Sequence, residues 1–178
     1  MRLFHFSDNP GLKVFHPRPV RIPSPRPVGR EWLNEPLVWA IEETRQAMYL
    51  FPRDCPRILV WPTEATVAEE CAAWWGERRC AMIAHIEWAW FERWRRGVIH
   101  RYELPVDDFE DLQDAGMWVA RRSVAPIDMT TIDDLPQALA EAGCELRVME
   151  SLTPLKGLWT SSLHVSGIRL RNAAGWAR

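Results

Sequence analysis

The sequence lacks the cysteine patterns that mark metal and redox sites. Its cysteines are Cys55, Cys71, Cys80 and Cys144. They form no C-x-x-C pair and have no histidine pair nearby, which argues against a zinc site and against a redox motif. We therefore expect free, buried thiols in a reducing compartment and no bound metal.

Long apolar runs and a leader segment are also missing. No apolar run approaches the roughly 18 residues that a transmembrane helix needs. The chain begins directly with a strand-like segment, without the basic and apolar regions of a signal peptide. These absences predict a cytoplasmic protein with no membrane partner.

The charge composition shows no basic excess. The chain has 22 Lys and Arg against 24 Asp and Glu, a net charge of -2. Holding nucleic acid by counterion release needs a basic excess, so nucleic acid is not expected as a partner, although local arginine clusters can bind a few phosphates. A Gly-rich phosphate loop, an H-E-x-x-H motif and a nucleophile elbow are absent as well.

What the sequence does contain is the composition of a folded α+β domain. Its 178 residues are 47% apolar and 26% charged, and a chain of this length buries about 70% of its unfolded surface. We find no internal repeat and no flexible linker, so we expect one domain over residues 1–178. Strand-like apolar segments lie at residues 2–6, 37–41, 57–61, 98–104, 117–123, 145–150 and 163–170.

The remaining segments predict one long loop and several helices. Residues 10–36 carry half of the 14 prolines and should form a stiff, extended surface loop without a helix. A short helix is expected over residues 42–51. Another helix should be capped by Asp133 or Asp134, hold Pro136 in its first turn and end at Gly143.

A Trp-rich helical insertion is expected at about residues 64–97. Thr66 and Glu69 have the spacing of a capping box, and the stretch should run toward Gly97 with a break near Gly76, which places His85 on a helix. Its tryptophans are Trp74, Trp75, Trp88, Trp90 and Trp94. We expect those that do not fit the core to form a surface for a second copy or an acceptor substrate.

His5 is the most distinctive candidate for a ligand contact. It lies at the end of the first strand with Ser7 two residues later, so both side chains should project to the same face. An imidazole and a hydroxyl at a strand end can form hydrogen bonds with a polar ligand such as a ribose. We therefore expect a nucleotide or small-molecule ligand at this position.

The order of several segments resembles the ADP-ribosyltransferase superfamily, with a layout closest to the small rifampin-modifying transferases. The resemblance rests on residues 3–7 (LFHFS), 38–41 (VWAI) before a helix, 99–104 before an acidic turn, and 118–127. It implies a split β-sandwich with flanking helices. It also implies that His5 binds the adenosine-side ribose of NAD, Trp39 packs on nicotinamide, and Glu103, Glu110 or Asp111 supports the reacting ribose.

The same resemblance implies NAD as a substrate and no metal, with ADP-ribose passed to an unknown acceptor. Ser7 and Tyr49 complete the expected contacts with the nucleotide. The pyrophosphate needs cationic partners, for which the candidates are Arg18, Arg21, Arg26, Arg30, Arg121 and Arg122. Two alternatives stay open, namely a non-catalytic module that binds a nucleotide or a protein partner, and an enzyme similar to RNA 2′-phosphotransferases.

Overall fold

The computed structural model describes residues 1–20, 22–23, 25–77 and 79–176. The chain is a mixed α+β protein with two sheets, as expected. It divides into two compact units, the first formed by Met1–Gln46 and Ile99–Ile132 and the second by Ala47–Val98 and Asp133–Arg178. The organisation as a single domain stays a prediction.

Strands and helices share the regular structure about equally. They are β1 Leu3–Ser7, β2 Val38–Glu42, β3 Arg57–Trp61, β4 Met82–Glu87, β5 Ile99–Leu104, β6 Glu110–Asp111, β7 Met117–Ala120, β8 Asp128–Ile132, β9 Cys144–Met149 and β10 His164–Ile168. The α-helices are α1 Ala68–Trp75, α2 Trp88–Arg95 and α3 Leu135–Glu141. Short 3₁₀ helices lie at Glu31–Asn34, Glu43–Tyr49, Val106–Asp108, Thr153–Thr160 and Leu170–Asn172. Among the described residues, no helix is both long enough and apolar enough to span a bilayer.

The first unit contains an antiparallel six-stranded sheet in the order β6-β7-β2-β1-β5-β8. Apolar side chains cover both of its faces, because neighbouring residues of a strand point to opposite sides. One face carries a core with members from β1, β2, β5 and β7 that Phe15 of the proline-rich loop joins. The other face carries a smaller core around Leu33, Leu37 and Val119, against which Trp39 packs.

The second unit contains a four-stranded sheet in the order β10-β3-β4-β9, in which only the β4–β9 pair is parallel. Every residue of β3 and β4 is buried, as expected for central strands covered on both faces. The core of this unit includes Ile58, Val60 and Ile83 from these strands and Trp75 from α1.

Most of the predicted elements are confirmed. All seven strand-like segments overlap strands of the structure. The helix before Gly143 is α3, where the Asp134 side chain accepts a hydrogen bond from the Gln137 backbone N–H at 2.9 Å. Gly143 follows the end of this helix with a φ of +67°, the left-handed conformation that glycine adopts without a steric cost.

The long helical insertion is wrong, because β4 lies in its middle and carries His85. This strand is buried on both faces and therefore shows no alternation that would separate it from a buried helix. The capping box is also wrong. The Thr66 hydroxyl accepts from the Thr63 backbone N–H at 2.8 Å and donates to the Ser162 carbonyl at 3.1 Å instead of capping α1.

Smaller corrections concern the loops. The proline-rich segment contains the 3₁₀ helix Glu31–Asn34, which was not expected there, and the helix expected over 42–51 is a 3₁₀ helix. The acidic turn includes the short edge strand β6, and β8 was missed because its exposed sequence DMTTI lacks an apolar face. Of the five tryptophans, Trp75 and Trp94 are buried whereas Trp88 is 56% exposed. The proposed surface for a second copy stays a prediction.

Candidate functional site

The pairing of the central strand β1 with one of its neighbours ends before His5. β1 pairs with β5 along its whole length, from Leu3 to Ser7. Its register with β2 covers Leu3 and Phe4 alone among the described pairs, although β2 continues to pair with β7 as far as Val38. The pairing of β1 with β2 therefore ends at Phe4 among the described pairs, and His5 is the first residue of β1 beyond it.

The imidazole of His5 has a defined orientation beside β2. Its Nδ1 lies 2.8 Å from the carbonyl oxygen of Trp39. Because a carbonyl only accepts, Nδ1 must carry the hydrogen, and the neutral ring then presents Nε2 as an acceptor. The ring also packs on Phe15, with the ring centroids 4.6 Å apart, and Phe15 packs edge-on against Tyr102 at 5.2 Å.

Ser7 lies on the same face as His5, as the sequence predicted. The register places His5 opposite Tyr102 and Ser7 opposite His100, and both Ser7 and His100 are 8% exposed. The Ser7 hydroxyl accepts from the Asn9 backbone N–H at 3.1 Å, and the Tyr102 hydroxyl donates to the Asn9 carbonyl at 2.7 Å. These bonds hold the turn that follows the histidine.

His100 and Tyr102 were not among the residues expected at the site. The signal that could have found them is their position at alternate residues of a predicted strand, which puts both on one face. His100 also contacts the Thr131 hydroxyl, with Nδ1 3.1 Å from Oγ1. What the sequence did not reveal is that this strand is the direct neighbour of the first one.

Trp39 lies on the opposite face of the sheet from His5. Its neighbours Val38 and Ala40 belong to the core that Phe15 joins, whereas Trp39 packs against the other core. The register aligns Trp39 with Val119 of β7 and Val119 with Glu110 of β6, so Glu110 shares the face of Trp39. The backbone carbonyl of Trp39 contacts His5, whereas the indole of Trp39 lies on the other face of the sheet.

Arg26 is a cation that lies close to the indole of Trp39. Its guanidinium carbon lies 5.8 Å from the ring centroid. The Arg26 Nε is buried and has no hydrogen-bond partner within the part of the chain that the structure describes. A buried donor without a partner is costly, so this atom is well placed to bind an anion.

The other candidate arginines are differently placed. Arg121 stacks on Trp32 at 4.5 Å and pairs with Glu110 at 3.2 Å and Glu35 at 3.6 Å. Arg122 pairs with Asp108. The positive charges of both arginines are therefore already balanced by carboxylates.

Arg30 and Arg18 are joined to other segments through backbone groups. Arg30 Nη1 donates to the Leu112 carbonyl at 3.0 Å. Arg18 is exposed, and its backbone forms an isolated bridge with Leu37. The remaining candidate, Arg21, lies outside the described residues.

Each candidate carboxylate already has a partner. Glu103 accepts two hydrogen bonds from Arg2, at 2.6 and 3.2 Å, and this contact lowers the pKa of its carboxyl group. Glu110 pairs with Arg121. Asp111 Oδ1 accepts from the Gln113 backbone N–H at 2.7 Å. These contacts hold all three carboxylates in place.

Tyr49 belongs to the second unit, where the Arg57 guanidinium lies 5.8 Å from its ring. Burial raises the pKa of the Tyr49 phenol, so it is a hydrogen-bond donor at neutral pH. No group of three or more His, Cys, Asp or Glu side chains suited to a metal ion occurs among the described residues.

Comparisons with known proteins identify a family but no function. No curated protein and no solved structure matches the chain. A family model matches residues 4–173. This range includes both sheets, apart from Leu3 at the start of β1, and the candidate site around His5. The chain therefore belongs to DUF6886, a family of unknown function.

Proposed function

We propose that the chain is an NAD-dependent ADP-ribosyltransferase that binds NAD beside His5, where the pairing of β1 with β2 ends. The observation that carries the proposal is the end of the β1–β2 register at Phe4, with His5 held by the Trp39 carbonyl just beyond it. An ADP-ribosyltransferase-like split β-sandwich and a cytoplasmic location are parts of the same proposal.

Two groups of the site suit the two polar parts of ADP-ribose. With its hydrogen on Nδ1, the neutral His5 ring accepts a hydrogen bond from a ribose hydroxyl at Nε2. Arg26 offers a positive charge and a buried Nε donor for the pyrophosphate. Arg26 and the Trp39 ring beside it lie on the other face of the sheet from His5, so an NAD molecule that uses both groups has to extend past the end of the β1–β2 register.

The reaction breaks the bond between the ribose C1′ and the nicotinamide nitrogen. Nicotinamide leaves with the bonding electron pair, positive charge develops on the ribose, and the acceptor nucleophile then bonds to C1′ and loses its proton to solvent. A fixed carboxylate stabilises that charge. Because Arg2 lowers the pKa of Glu103, this residue is ionised at neutral pH and suits that role, while Glu110 shares the face of Trp39.

The first test measures NAD binding by calorimetry and nicotinamide release by chromatography. We expect His5→Asn to weaken NAD binding about tenfold, because asparagine keeps a donor for the Trp39 carbonyl but lacks the Nε2 acceptor. The control is His16→Asn, an exposed histidine that contacts Ser123, for which affinity should change less than about twofold. A wild-type protein that neither binds NAD nor releases nicotinamide would refute the proposal.

A second candidate is a nucleotide-binding module without turnover. It is favoured by the partners that already hold Glu103, Glu110 and Asp111. NAD binding that depends on His5 without nicotinamide release would support this candidate. If nicotinamide release does occur, the variants Glu103→Gln, Glu110→Gln and Asp111→Asn identify the catalytic carboxylate. Substitution of that carboxylate should abolish nicotinamide release while the affinity for NAD changes little.

A further inference from the structure

Three arginines, Arg53, Arg169 and Arg171, lie in or against the segment that follows β10 in the second unit. Arg169 comes directly after this strand, whose last residue Ile168 pairs with Arg57 of β3. Arg169 adopts a φ of +55°, a left-handed conformation that is uncommon for a long side chain and is often found at functional sites. Arg171 follows within the 3₁₀ helix Leu170–Asn172.

Two hydrogen bonds join this segment to the turn before β3. Arg169 Nε donates to the Arg53 carbonyl at 3.2 Å, and Asn172 Nδ2 donates to the Asp54 carbonyl at 2.7 Å. They place the Arg169 side chain against the backbone of Arg53, and Arg171 lies two residues from Arg169. Burial lowers the pKa of Arg169, and the charges of Arg171 and Arg53 lower it further against a smaller opposing effect of Asp54, which agrees with a close group of like charges.

The three arginines have no ion-pair partner among the described residues. No side chain of Asp or Glu there lies within ion-pair distance of Arg53, Arg169 or Arg171. Other arginines of the second unit do pair, as Arg147 does with Glu145 at 2.9 Å. The cluster therefore keeps a local positive charge that an anion would balance.

Two more residues support the cluster. Arg57 is 2% exposed and donates to the Met48 carbonyl at 2.8 Å and the Cys55 carbonyl at 2.9 Å, so its charge is held in place. The charges of both Arg57 and Arg169 act on the Tyr49 phenol, which burial keeps protonated. Tyr49 thus adds a hydroxyl within electrostatic reach of the same positive field.

We propose that Arg53, Arg169 and Arg171 form a binding site for a phosphate group. Guanidinium groups match phosphate oxygens with paired, charge-assisted hydrogen bonds. The shared chemistry is a tetrahedral dianion, supplied either by free inorganic phosphate or by a phosphomonoester. The site belongs to the second unit and does not depend on the NAD site proposed in the first unit.

Calorimetric titrations at constant ionic strength test this site. The probes are inorganic phosphate, glycerol 3-phosphate and glycerol, so the first two arms distinguish a free phosphate from a phosphomonoester. We expect both phosphates to bind and glycerol not to bind, and the phosphate with the higher affinity identifies the source. Arg169→Gln and Arg171→Gln should each weaken phosphate binding about tenfold, as the loss of a charge-assisted hydrogen bond implies. Arg79→Gln, an exposed arginine elsewhere in the unit, should change it less than about twofold.

Arg169 is partly buried, so the exposed Arg53→Gln serves as a third variant in case Arg169→Gln fails to fold. Far-ultraviolet circular dichroism checks the fold of every variant. Weaker phosphate binding in Arg171→Gln and Arg53→Gln with an unchanged spectrum supports the site. The absence of phosphate binding in the wild-type protein, or equal binding in all variants and in Arg79→Gln, would overturn it.

Discussion

His85 should make the stability of the second unit depend on pH. It lies on the buried strand β4, is 1% exposed and has its Nδ1 3.2 Å from the Ile58 carbonyl. The Trp74 and His85 rings pack in a T-shaped arrangement with their centroids 5.6 Å apart, and Arg147 is the direct neighbour of His85 on β9. Burial first, and then the Arg147 charge, lowers the pKa of His85 from 6.5 to about 4.

The sign of the change in stability follows from which state, folded or unfolded, binds a proton at His85 more readily. The unfolded chain protonates this histidine near pH 6.5, whereas the folded chain does so only near pH 4. The stabilising contribution is therefore complete above pH 6.5 and is lost as the pH falls from about 6.5 to about 4. At about 1.36 kcal/mol per pKa unit, the full loss in unfolding free energy is about 3 kcal/mol, of which about 2 kcal/mol is lost by about pH 5.

Urea unfolding followed by circular dichroism measures this difference. His85→Asn is the matched variant, since the amide keeps a donor for the Ile58 carbonyl and does not titrate. Between about pH 7.5 and about pH 5, the wild-type protein should lose about 2 kcal/mol more stability than the variant does. Titration of all other groups is common to both proteins and cancels. Equal losses in the two proteins would refute the assignment of the effect to His85.

Two further predictions concern stability, one for glycines of the first unit and one for a helix cap of the second unit. Gly116→Ala should lower the unfolding free energy by about 2 kcal/mol or more, because φ is +71° and a Cβ would lie 2.9 Å from Arg45 Cγ. Gly29→Ala, with a φ of +84° and open space around it, should cost only about 1 kcal/mol, and equal costs in urea unfolding would contradict the steric argument. Asp134→Ala should cost about 1 kcal/mol through loss of the α3 cap, while Asp133→Ala stays within about 0.5 kcal/mol. A thermal melt that ranks these two aspartate variants the other way round would contradict the cap.

The elements that could be predicted are those with short-range signals. α3 has its cap Asp134, its proline Pro136 and its terminal Gly143 within about ten residues. β4 could not be predicted in the same way, because its strand character comes from pairing with β3 and with β9, which lies about sixty residues later. The tryptophans beside it favoured a helix over the whole stretch, although only α1 and α2 are helical among the residues described there.

Part of the candidate site could also be predicted. His5 and Ser7 share a face because two residues separate them on a strand, which is a local property. Trp39 could not be placed in this way, since its face follows from the register of β2 with β7. The unpartnered Nε of Arg26 depends on how a proline-rich loop packs, for which the sequence carries no periodic signal.

The α+β class, most strands and the choice of His5 could be predicted, because they follow from patterns over a few neighbouring residues. The fold was needed to show that the β1–β2 register ends before His5, that Trp39 faces the other side, and that the Arg169 side chain contacts the Arg53 backbone. Such features join residues far apart in the chain. Their positions are set by strand register and side-chain packing, which no local pattern encodes.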